Sequence, residues 1–409
     1  DEAALIVDNE LSDYKAKIID DKVYVDYRFV HDSLNSRFYW DANENVLLYT
    51  TASDIISAAA DSNSYSVTKQ TNDFGYPIVK ATSDSALIAL DYVKQYSNIT
   101  FKSYDDPARV VITSKWDEID SATVSKSTQV RVKGGIKSPI LKQVKKNDTL
   151  TILDSGDKWD KVATEDGIIG YIKSKAMSES KKTKLTNPDY EEETFTHIKK
   201  DKDICLAWNQ VTSRSANSKV AQVISSTKGI NVMSPTWFYL NDNNGNLADI
   251  ASKDYVSYCH SQGIEVWGLF SNFENTDVDA AYVLTHTSTR TTLINQIMSA
   301  AFNYELDGVN IDFENITEAA YGDSYIEFIR ELAIKCHNNG ISLSVDVTVP
   351  ASFNKFFNRS DMANFADYIV IMGYDEHYKG SDAGSVASIP WVTDGVEATL
   401  KEVPADQII

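Results

Sequence analysis

The hydrophobic pattern of this 409-residue chain changes rhythm about halfway along. From about residue 201, short apolar runs alternate with segments of helical periodicity, which predicts alternating strands and helices. We expect six strands, over residues 204–208, 230–234, 265–270, 308–313, 342–347 and 368–372. Helices are expected over residues 218–227, 252–262, 291–304, 325–338 and 360–365. This alternation predicts a parallel sheet, most naturally a C-terminal (β/α)8 TIM-type barrel over residues 201–409.

An open, doubly wound sheet is the alternative architecture for this region. It would need a glycine-rich phosphate loop after the first strand, and residues 208–211 contain no glycine. A complete barrel runs to ~250 residues, and residues 201–409 fall short of that length. Residues 404–409 are typical of the first step of a seventh strand. We therefore expect a barrel truncated after about six strands, in a fragment or in a chain that a partner completes.

The first half of the chain has two different patterns. Residues 1–118 contain a loose repeat in which a short helix precedes a two-stranded hairpin, with turns near residues 43–45 and 106–107. This predicts an α+β module. Residues 123–178 contain short strands separated by glycine turns, which predicts a small all-β barrel. Residues 179–200 are polar and charged and are expected to be a linker or a strap along the next domain.

Composition narrows the classes of partner. The net charge is −20 and the sequence pI about 4.7, which argues against nucleic acid or an anionic membrane. No apolar run reaches membrane-spanning length. Cys205, Cys259 and Cys336 are far apart and are expected to be buried thiols, and the six histidines show no metal spacing. We expect no cofactor and no metal. The chain begins without Met, which is typical of a mature or trimmed form.

The strongest chemical signal lies in residues 306–315. In a strand, Asn310, Asp312 and Glu314 share one face. Glu314 is at the carboxyl end, where parallel barrels place reacting groups. Because two neighbouring carboxylates resist double ionisation, the pKa of one rises and that group can act as an acid. A buried strand with capped polar residues is the alternative.

Other predicted strands carry further candidate site residues at or near their ends. Asp346 is expected to share protons or hydrogen bonds with Asp312, or to belong to a purely structural network. Trp208, Trp237 and Asn272 stand near the ends of earlier strands. Aromatic faces stack on sugar rings and asparagine binds hydroxyl groups, although each tryptophan could equally be a core residue.

Two motifs resemble glycoside hydrolase family 18. Residues 307–314 resemble its signature, Asp-Gly-x-Asp-x-Asp-x-Glu, with Asn310 in place of the middle aspartate. Met372, Tyr374 and Asp375 resemble its second mark, Met-x-Tyr-Asp. A branch related to bacterial spore-cortex and cell-wall N-acetylglucosaminidases also carries this asparagine, and it resembles the chain at Trp237 and Asn272.

The resemblance implies a retaining glycosidase in which the substrate's acetamido group is the nucleophile. Its implied catalytic residues are Glu314 as acid and base, Asp312 and Tyr374. The implied substrate-binding residues are Asp307, Asn310, Asp375, Asn272 and Trp237. The expected substrate is β-linked N-acetylglucosamine in peptidoglycan, with chitin oligomers or host N-glycans as alternatives. A non-catalytic barrel that only binds such sugars, or a vestigial one in a wall protein, is the competing class.

The amino-terminal regions resemble two other families. Val130-Arg131, Trp159 and residues 170–172 resemble a bacterial Src-homology-3-like domain, which implies a cell-wall peptide as ligand; a spacer role is the alternative. Residues 23–30 resemble the N-terminal domain of copper amine oxidases. That region has a single histidine, His31, and no cysteine, so no copper site is expected and a helper or wall-contact role is favoured. Together these imply an extracellular or cell-wall-associated protein, from a Gram-positive bacterium.

Overall fold

The computed structural model describes residues 1–314, 316 and 319–409 of the chain. It divides into two compact units. The first comprises Asp1–Trp40, Ala58–Tyr65 and Asn72–Glu192, and the second comprises Asp41–Ser57, Ser66–Thr71 and Glu193–Ile409. A short amino-terminal segment, Asp41–Ser57, therefore belongs to the same unit as the carboxyl-terminal half of the chain.

The amino-terminal part of the first unit is an α+β module. A seven-stranded sheet contains strands Glu2–Val7, Glu10–Ile19, Lys22–Asp26, Val79–Ala81, Ala86–Ala89, Thr100–Asp105 and Ala108–Thr113. The helical segments are Tyr27–Phe29, Val30–Leu34 and Leu90–Tyr96. In the segment predicted to be the second copy of the repeat, helix Leu90–Tyr96 leads into an antiparallel hairpin of Thr100–Asp105 and Ala108–Thr113. The remaining strands of this region of the chain are Phe38–Asp41, Val46–Thr50, Ile55–Ala59, Ser64–Val67 and Gln70–Asp73.

The rest of the first unit is a small β domain. Its sheet contains strands Glu118–Thr123, Thr128–Arg131, Ile140–Val144, Thr149–Asp154, Trp159–Ala163, Ile169–Lys173 and Lys181–Lys184, with a short helical turn at Ser174–Ala176. Lys181–Lys184 pairs antiparallel with Glu118–Thr123, so part of the segment expected to be a linker is an edge strand. Charged lysines are typical of edge strands, and a strand made of them lacks the apolar alternation from which strands are predicted.

The described residues of the second unit form a sheet of six parallel strands in chain order. They are β1 (Leu206–Asn209), β2 (Val232–Leu240), β3 (Glu265–Ser271), β4 (Gly308–Asp312), β5 (Ser342–Thr348) and β6 (Tyr368–Met372). A short strand, Leu247–Asp249, forms a hairpin with β2. Ile408 forms a parallel bridge to Ile369 of β6, so the chain returns to the sheet beyond its sixth strand. Alternation of strand and helix thus gives the predicted parallel sheet.

Seven helices follow the described strands of this unit. They are α1 (Val220–Ser225), α2 (Lys253–Ser261), α3 (Ala280–Thr285), α4 (Thr287–Tyr304), α5 (Ala319–His337), α6 (Arg359–Phe365) and α7 (Ile389–Thr399), with helical turns at Arg214–Lys219, Ser352–Phe357 and Ala405–Gln407. Apolar side chains on one face of the strands, such as Leu343, Val345 and Val347 of β5, join the core with these helices. The opposite face of the sheet carries a small apolar cluster of Val232, Trp267 and Tyr368 together with polar residues.

The free cysteines agree only partly with expectation. Cys259 and Cys336 are buried in helices α2 and α5, as predicted. Cys205 is exposed; it precedes β1, so the expectation that it is a buried strand residue is wrong. Across the residues that the structure describes, no helix combines the length and the apolar character needed to cross a membrane.

The segment Asp41–Ser57 is bonded to the helices of the second unit. Helix α4 has no side-chain cap from its own preceding residue, His286. Instead Asp41 accepts hydrogen bonds from the backbone N–H of Thr287 at 2.7 Å and from its hydroxyl at 2.6 Å. Glu44 accepts from the backbone N–H of Ser288 at 3.1 Å. These acidic side chains satisfy unpaired N–H groups and stabilise the positive end of the helix dipole.

We expect Asp41→Ala to destabilise the second unit. Asp41 is 1% exposed, and removing an N-cap acceptor typically costs about 0.5–2 kcal/mol. Urea unfolding followed by tryptophan fluorescence measures the loss. Asp394→Ala, at an exposed position of α7, is the matched control and should stay within about 0.5 kcal/mol of wild type. Equal unfolding midpoints for the two variants would contradict this capping role.

Candidate active site

The face of the sheet opposite the helices is layered from apolar to polar. Val232, Trp267 and Tyr368 form a small apolar cluster. Trp267 pairs with Gly308 across β3 and β4, and a Cβ atom on Gly308 would lie 2.6 Å from the indole. The glycine of the motif is therefore required for packing. Polar residues of β4 and β5 follow toward the carboxyl ends of the strands.

Asn310 is the centre of the first polar layer. Its Oδ1 accepts from Trp208 Nε1 at 3.1 Å and from Ser234 Oγ at 3.0 Å. Its Nδ2 donates to Ser344 Oγ at 3.0 Å and to Asp346 Oδ1 at 2.7 Å. The residue is fully buried. An aspartate here would lack the two N–H donors. Asn310 therefore orients its neighbours, and its burial does not agree with the expected contact to substrate.

Asp312 lies one step closer to the carboxyl end of β4 and is half-buried. Burial, followed by the charges of Glu314 and Glu274, raises the pKa of Asp312 to about 7. Its Oδ1 is buried and has no hydrogen-bond partner among the described residues. A carboxyl group with this pKa exchanges its proton near neutrality, which suits acid–base chemistry.

Glu314 follows the end of β4 and is exposed. Its backbone is fixed by the side chain of Asn272, whose Oδ1 accepts from the Glu314 N–H at 2.8 Å and whose Nδ2 donates to the Glu314 carbonyl at 2.8 Å. Asn272 thus positions Glu314, whereas the sequence predicted that it binds sugar. Burial, then the charges of Asp375 and Glu274, raise the pKa of Glu314, so this acid keeps its proton to a higher pH than usual.

An aromatic pair flanks the carboxylates. Tyr374 follows β6 and is 42% exposed, and Trp208 at the end of β1 is 39% exposed. Their ring centroids are 6.5 Å apart at an interplanar angle of 87°. Burial, then the charge of Asp312, raise the pKa of Tyr374 to about 12, so its hydroxyl stays a donor. Asp375 is exposed with a φ of 70°, a left-handed conformation uncommon for side chains other than Asn, Asp and Gly.

Two predicted substrate contacts lie elsewhere. Asp307 precedes β4, at the opposite end from Glu314, and accepts from the N–H of Val266 and from His260 Nε2, each at 2.8 Å. Trp237 is fully buried and its Nε1 donates to Asn217 at 2.7 Å. The structure does not bring either residue together with the carboxylates of Asp312 and Glu314. Trp237 is a core residue, which was the alternative considered for it, and Asp307 bonds the start of β4 to β3.

Glu274 is a site residue that the sequence analysis missed. It is exposed, accepts from the Ser271 hydroxyl at 2.6 Å, and contributes to raising the pKa of both Asp312 and Glu314. The sequence could have indicated Glu274, because this residue follows the predicted strand next to β4. The carboxyl ends of parallel strands meet at one edge of the sheet. In the described part of the chain, no group of three or more His, Cys, Asp or Glu residues could hold a metal ion.

Three families match separate parts of the chain. Residues 270–406 match glycosyl hydrolases family 18, residues 126–178 match the bacterial SH3 domain, and residues 6–113 match the copper amine oxidase N-terminal domain. The family 18 match contains the carboxylates of β4, Asn272 and Tyr374. All three families agree with those expected from the sequence.

Individual relatives resemble up to half of the chain. The uncharacterized glycosylase YvbX of Bacillus subtilis (strain 168) is 23% identical over 229 residues, which are 50% of this chain and 65% of YvbX. The cortical fragment-lytic enzyme of the same organism is 25% identical over 175 residues, 41% of this chain and 40% of the enzyme. A crystal structure of a chitinase from Chromobacterium violaceum ATCC 12472 has a TM-score of 0.44 at 22% identity, covering 50% of this chain and 67% of the chitinase. This chain spans less than two thirds of either curated relative.

Proposed function

We propose, from the premise that residues 270–406 are a family 18 glycosyl hydrolase domain, that the protein is a glycoside hydrolase that cleaves β-linked N-acetylglucosamine in peptidoglycan or a related glycan. One observation carries the proposal. An exposed acid, Glu314, stands at the carboxyl end of β4 with a raised pKa, two residues after a half-buried Asp312 whose pKa is about 7.

The proposed mechanism assigns each group one task. Glu314 protonates the glycosidic oxygen, and the 2-acetamido carbonyl of the substrate attacks the anomeric carbon. Asp312 stabilises the N–H of the resulting oxazolinium ion, and the Tyr374 hydroxyl donates to its oxygen. Glu314, now ionised, takes a proton from the water that opens the ring. Asp375 contacts the sugar and, through its charge, helps to keep Glu314 protonated before reaction.

The aromatic pair supports a sugar as the substrate. Trp208 presents an exposed ring beside Tyr374, and its Nε1 is fixed by Asn310. A ring held in this way can stack on a pyranose without losing rotamer freedom on binding. We propose Trp208 as a substrate contact in place of Trp237, whose ring is enclosed in the core.

Peptidoglycan is the preferred source of the N-acetylglucosamine. The cortical fragment-lytic enzyme is among the relatives, and the chain carries a bacterial SH3 domain. We propose that this domain binds a cell-wall peptide and that the copper amine oxidase N-terminal domain is a helper module, which places the protein outside the cell or on its wall. Chitin oligomers are the second substrate candidate.

Product analysis tests the function. The full-length protein is incubated with β-linked N-acetylglucosamine oligomers and with purified muropeptides, and products are read by mass spectrometry. We expect loss of an N-acetylhexosamine unit, and the product sizes distinguish exo from endo cleavage. Intact substrates that nevertheless bind would replace this proposal with a sugar-binding wall protein.

A further inference from the structure

Two carboxyl groups, on Asp312 and Asp346, stand near the carboxyl ends of the adjacent strands β4 and β5, and each has a buried oxygen. Ile311 pairs with Val345, so the next residues, Asp312 and Asp346, stand at the same level of adjacent parallel strands and on the same face. Adjacent strands are ~4.8 Å apart. Within the described chain, Asp312 Oδ1 and Asp346 Oδ2 are each buried without a hydrogen-bond partner.

The other oxygen of Asp346 is already fixed. Its Oδ1 accepts from Asn310 Nδ2 at 2.7 Å, and Asn310 is itself held by Trp208, Ser234 and Ser344. Asp346 is 2% exposed. These hydrogen bonds therefore fix Oδ1 of Asp346 as an acceptor. Oδ2 is the oxygen that has no assigned hydrogen bond.

Burial and nearby acids oppose a negative charge on Asp346 more strongly than its hydrogen bonds from Asn310 and Trp208 favour one. The ionisable groups that face it are Asp312 and Glu314 at the end of β4, Tyr325 on α5 and Tyr374 after β6. Among the described residues, no lysine, arginine or histidine is part of the interactions that set its charge state. Burial and then the charge of Asp312 raise the pKa of Asp346 well above its ordinary value. Two unpaired ionised carboxylates at this spacing would repel each other strongly.

We propose that Asp346 is held as a neutral carboxylic acid whose proton lies on Oδ2 and is donated to Oδ1 of Asp312. A single proton then supplies the partner that each oxygen lacks. In this arrangement Asp346 is a positioning residue: it orients the Asp312 carboxylate and stabilises its ionised form. Only the expected effect of Asp346 on turnover rests on the proposed function. The location of the proton can be measured without a substrate.

Infrared spectroscopy locates this proton directly. Protein with ¹³C-labelled aspartate is examined at about pH 8, where most of Asp312 is ionised because that pH is one unit above its pKa. We expect a protonated-carboxyl band in wild type that is absent from Asp346→Asn and retained in Asp394→Asn, an exposed control. A wild-type spectrum without such a band, or one that Asp346→Asn leaves unchanged, would overturn the proposal.

The pH dependence of kcat is a second test, because a neutral and an ionised Asp346 predict shifts of opposite sign in the variant Asp346→Leu. The acid limb of the pH profile reports the ionisation of Asp312. If Asp346 donates a proton to Asp312, Asp346→Leu removes a stabilising donor and moves this limb up by about one pH unit. If Asp346 were instead ionised, the same change would remove a repelling charge and move the limb down.

Asp346→Asn separates these outcomes in an isosteric variant. Its amide N–H₂ can donate to Asp312 while its Oδ1 still accepts from Asn310, so the acid limb should stay within about half a pH unit of wild type. A downward shift would overturn the proposal. If wild type cleaves no glycan at all, the proposed function fails, and the infrared band still decides where the proton is.

Discussion

We expect Glu314→Gln to abolish most of the proposed glycan cleavage while leaving substrate binding intact. The glutamine side chain has nearly the same shape but cannot give a proton to the leaving oxygen, and loss of a general acid typically lowers the rate by about 10²–10⁴-fold. Asn272 bonds only the backbone of residue 314, so the substitution leaves that support intact. Turnover of N-acetylglucosamine oligomers by mass spectrometry and their Kd by calorimetry measure the two effects separately.

The matched control for this variant is Glu397→Gln, at an exposed position of α7. It makes the same chemical change away from the carboxylates and should cleave at the wild-type rate. Near wild-type turnover by Glu314→Gln would show that another group supplies the proton. Loss of binding together with turnover would instead indicate that Glu314 contacts the sugar in its ground state.

We expect Arg330→Met to lower the stability of the second unit by about 3–5 kcal/mol, the usual effect of breaking a buried ion pair. The guanidinium of Arg330 on α5 donates to Glu327 at 3.0 Å and to Asp361 of α6, and all three residues are buried. Removing it leaves the carboxylates of Glu327 and Asp361 enclosed without their hydrogen-bonded cation, and only the more distant charge of Arg290 still acts on Glu327. Thr50, from the segment Asp41–Ser57, also donates to Glu327 at 2.9 Å, but a hydroxyl cannot neutralise the charge.

The effect of Arg330→Met depends on pH with a definite sign. Burial already raises the pKa of Glu327 in wild type, and without Arg330 that pKa rises further above its unfolded value. An acid with a raised folded pKa destabilises the fold as pH increases through that range, so the deficit should shrink on acidification toward pH ~4.5. Urea midpoints at several pH values measure this. The double variant Glu327→Gln, Arg330→Met should recover part of the loss at neutral pH, and a single variant as stable as wild type would contradict the ion-pair assignment.

Strand–helix alternation and the residues at strand ends could be predicted from the sequence, because both depend on the pattern of apolar and polar residues within short segments. The six parallel strands and the grouping of Asp312, Glu314 and Tyr374 at one edge follow from period-two alternation and from the rule that carboxyl ends of parallel strands meet. Lys181–Lys184 could not be found in this way, because an edge strand made of lysine and threonine has no apolar face to detect.

The roles of asparagine and tryptophan depend on contacts between distant parts of the chain. Asn272 and Asn310 were expected to bind sugar, and the structure gives each of them protein partners for both ends of its amide. Trp208 and Trp237 both stand near the ends of predicted strands, yet Trp208 is exposed and Trp237 is enclosed. Helices packed outside the sheet decide between them, and no short-range pattern contains that information. Likewise, the attachment of Asp41 to Thr287 joins residues 246 positions apart.

That separation has a consequence for the order of synthesis. Asp41 and Thr50 leave the ribosome long before their partners Thr287 and Glu327, which follow 246 and 277 residues later. At about 5–20 residues per second this delay is about 12 to 55 s. During that interval Leu47, Leu48 and Tyr49, which are buried in the finished unit, have no α4 or α5 to pack against. The segment Asp41–Ser57 therefore cannot complete its packing until the second half of the chain has been made.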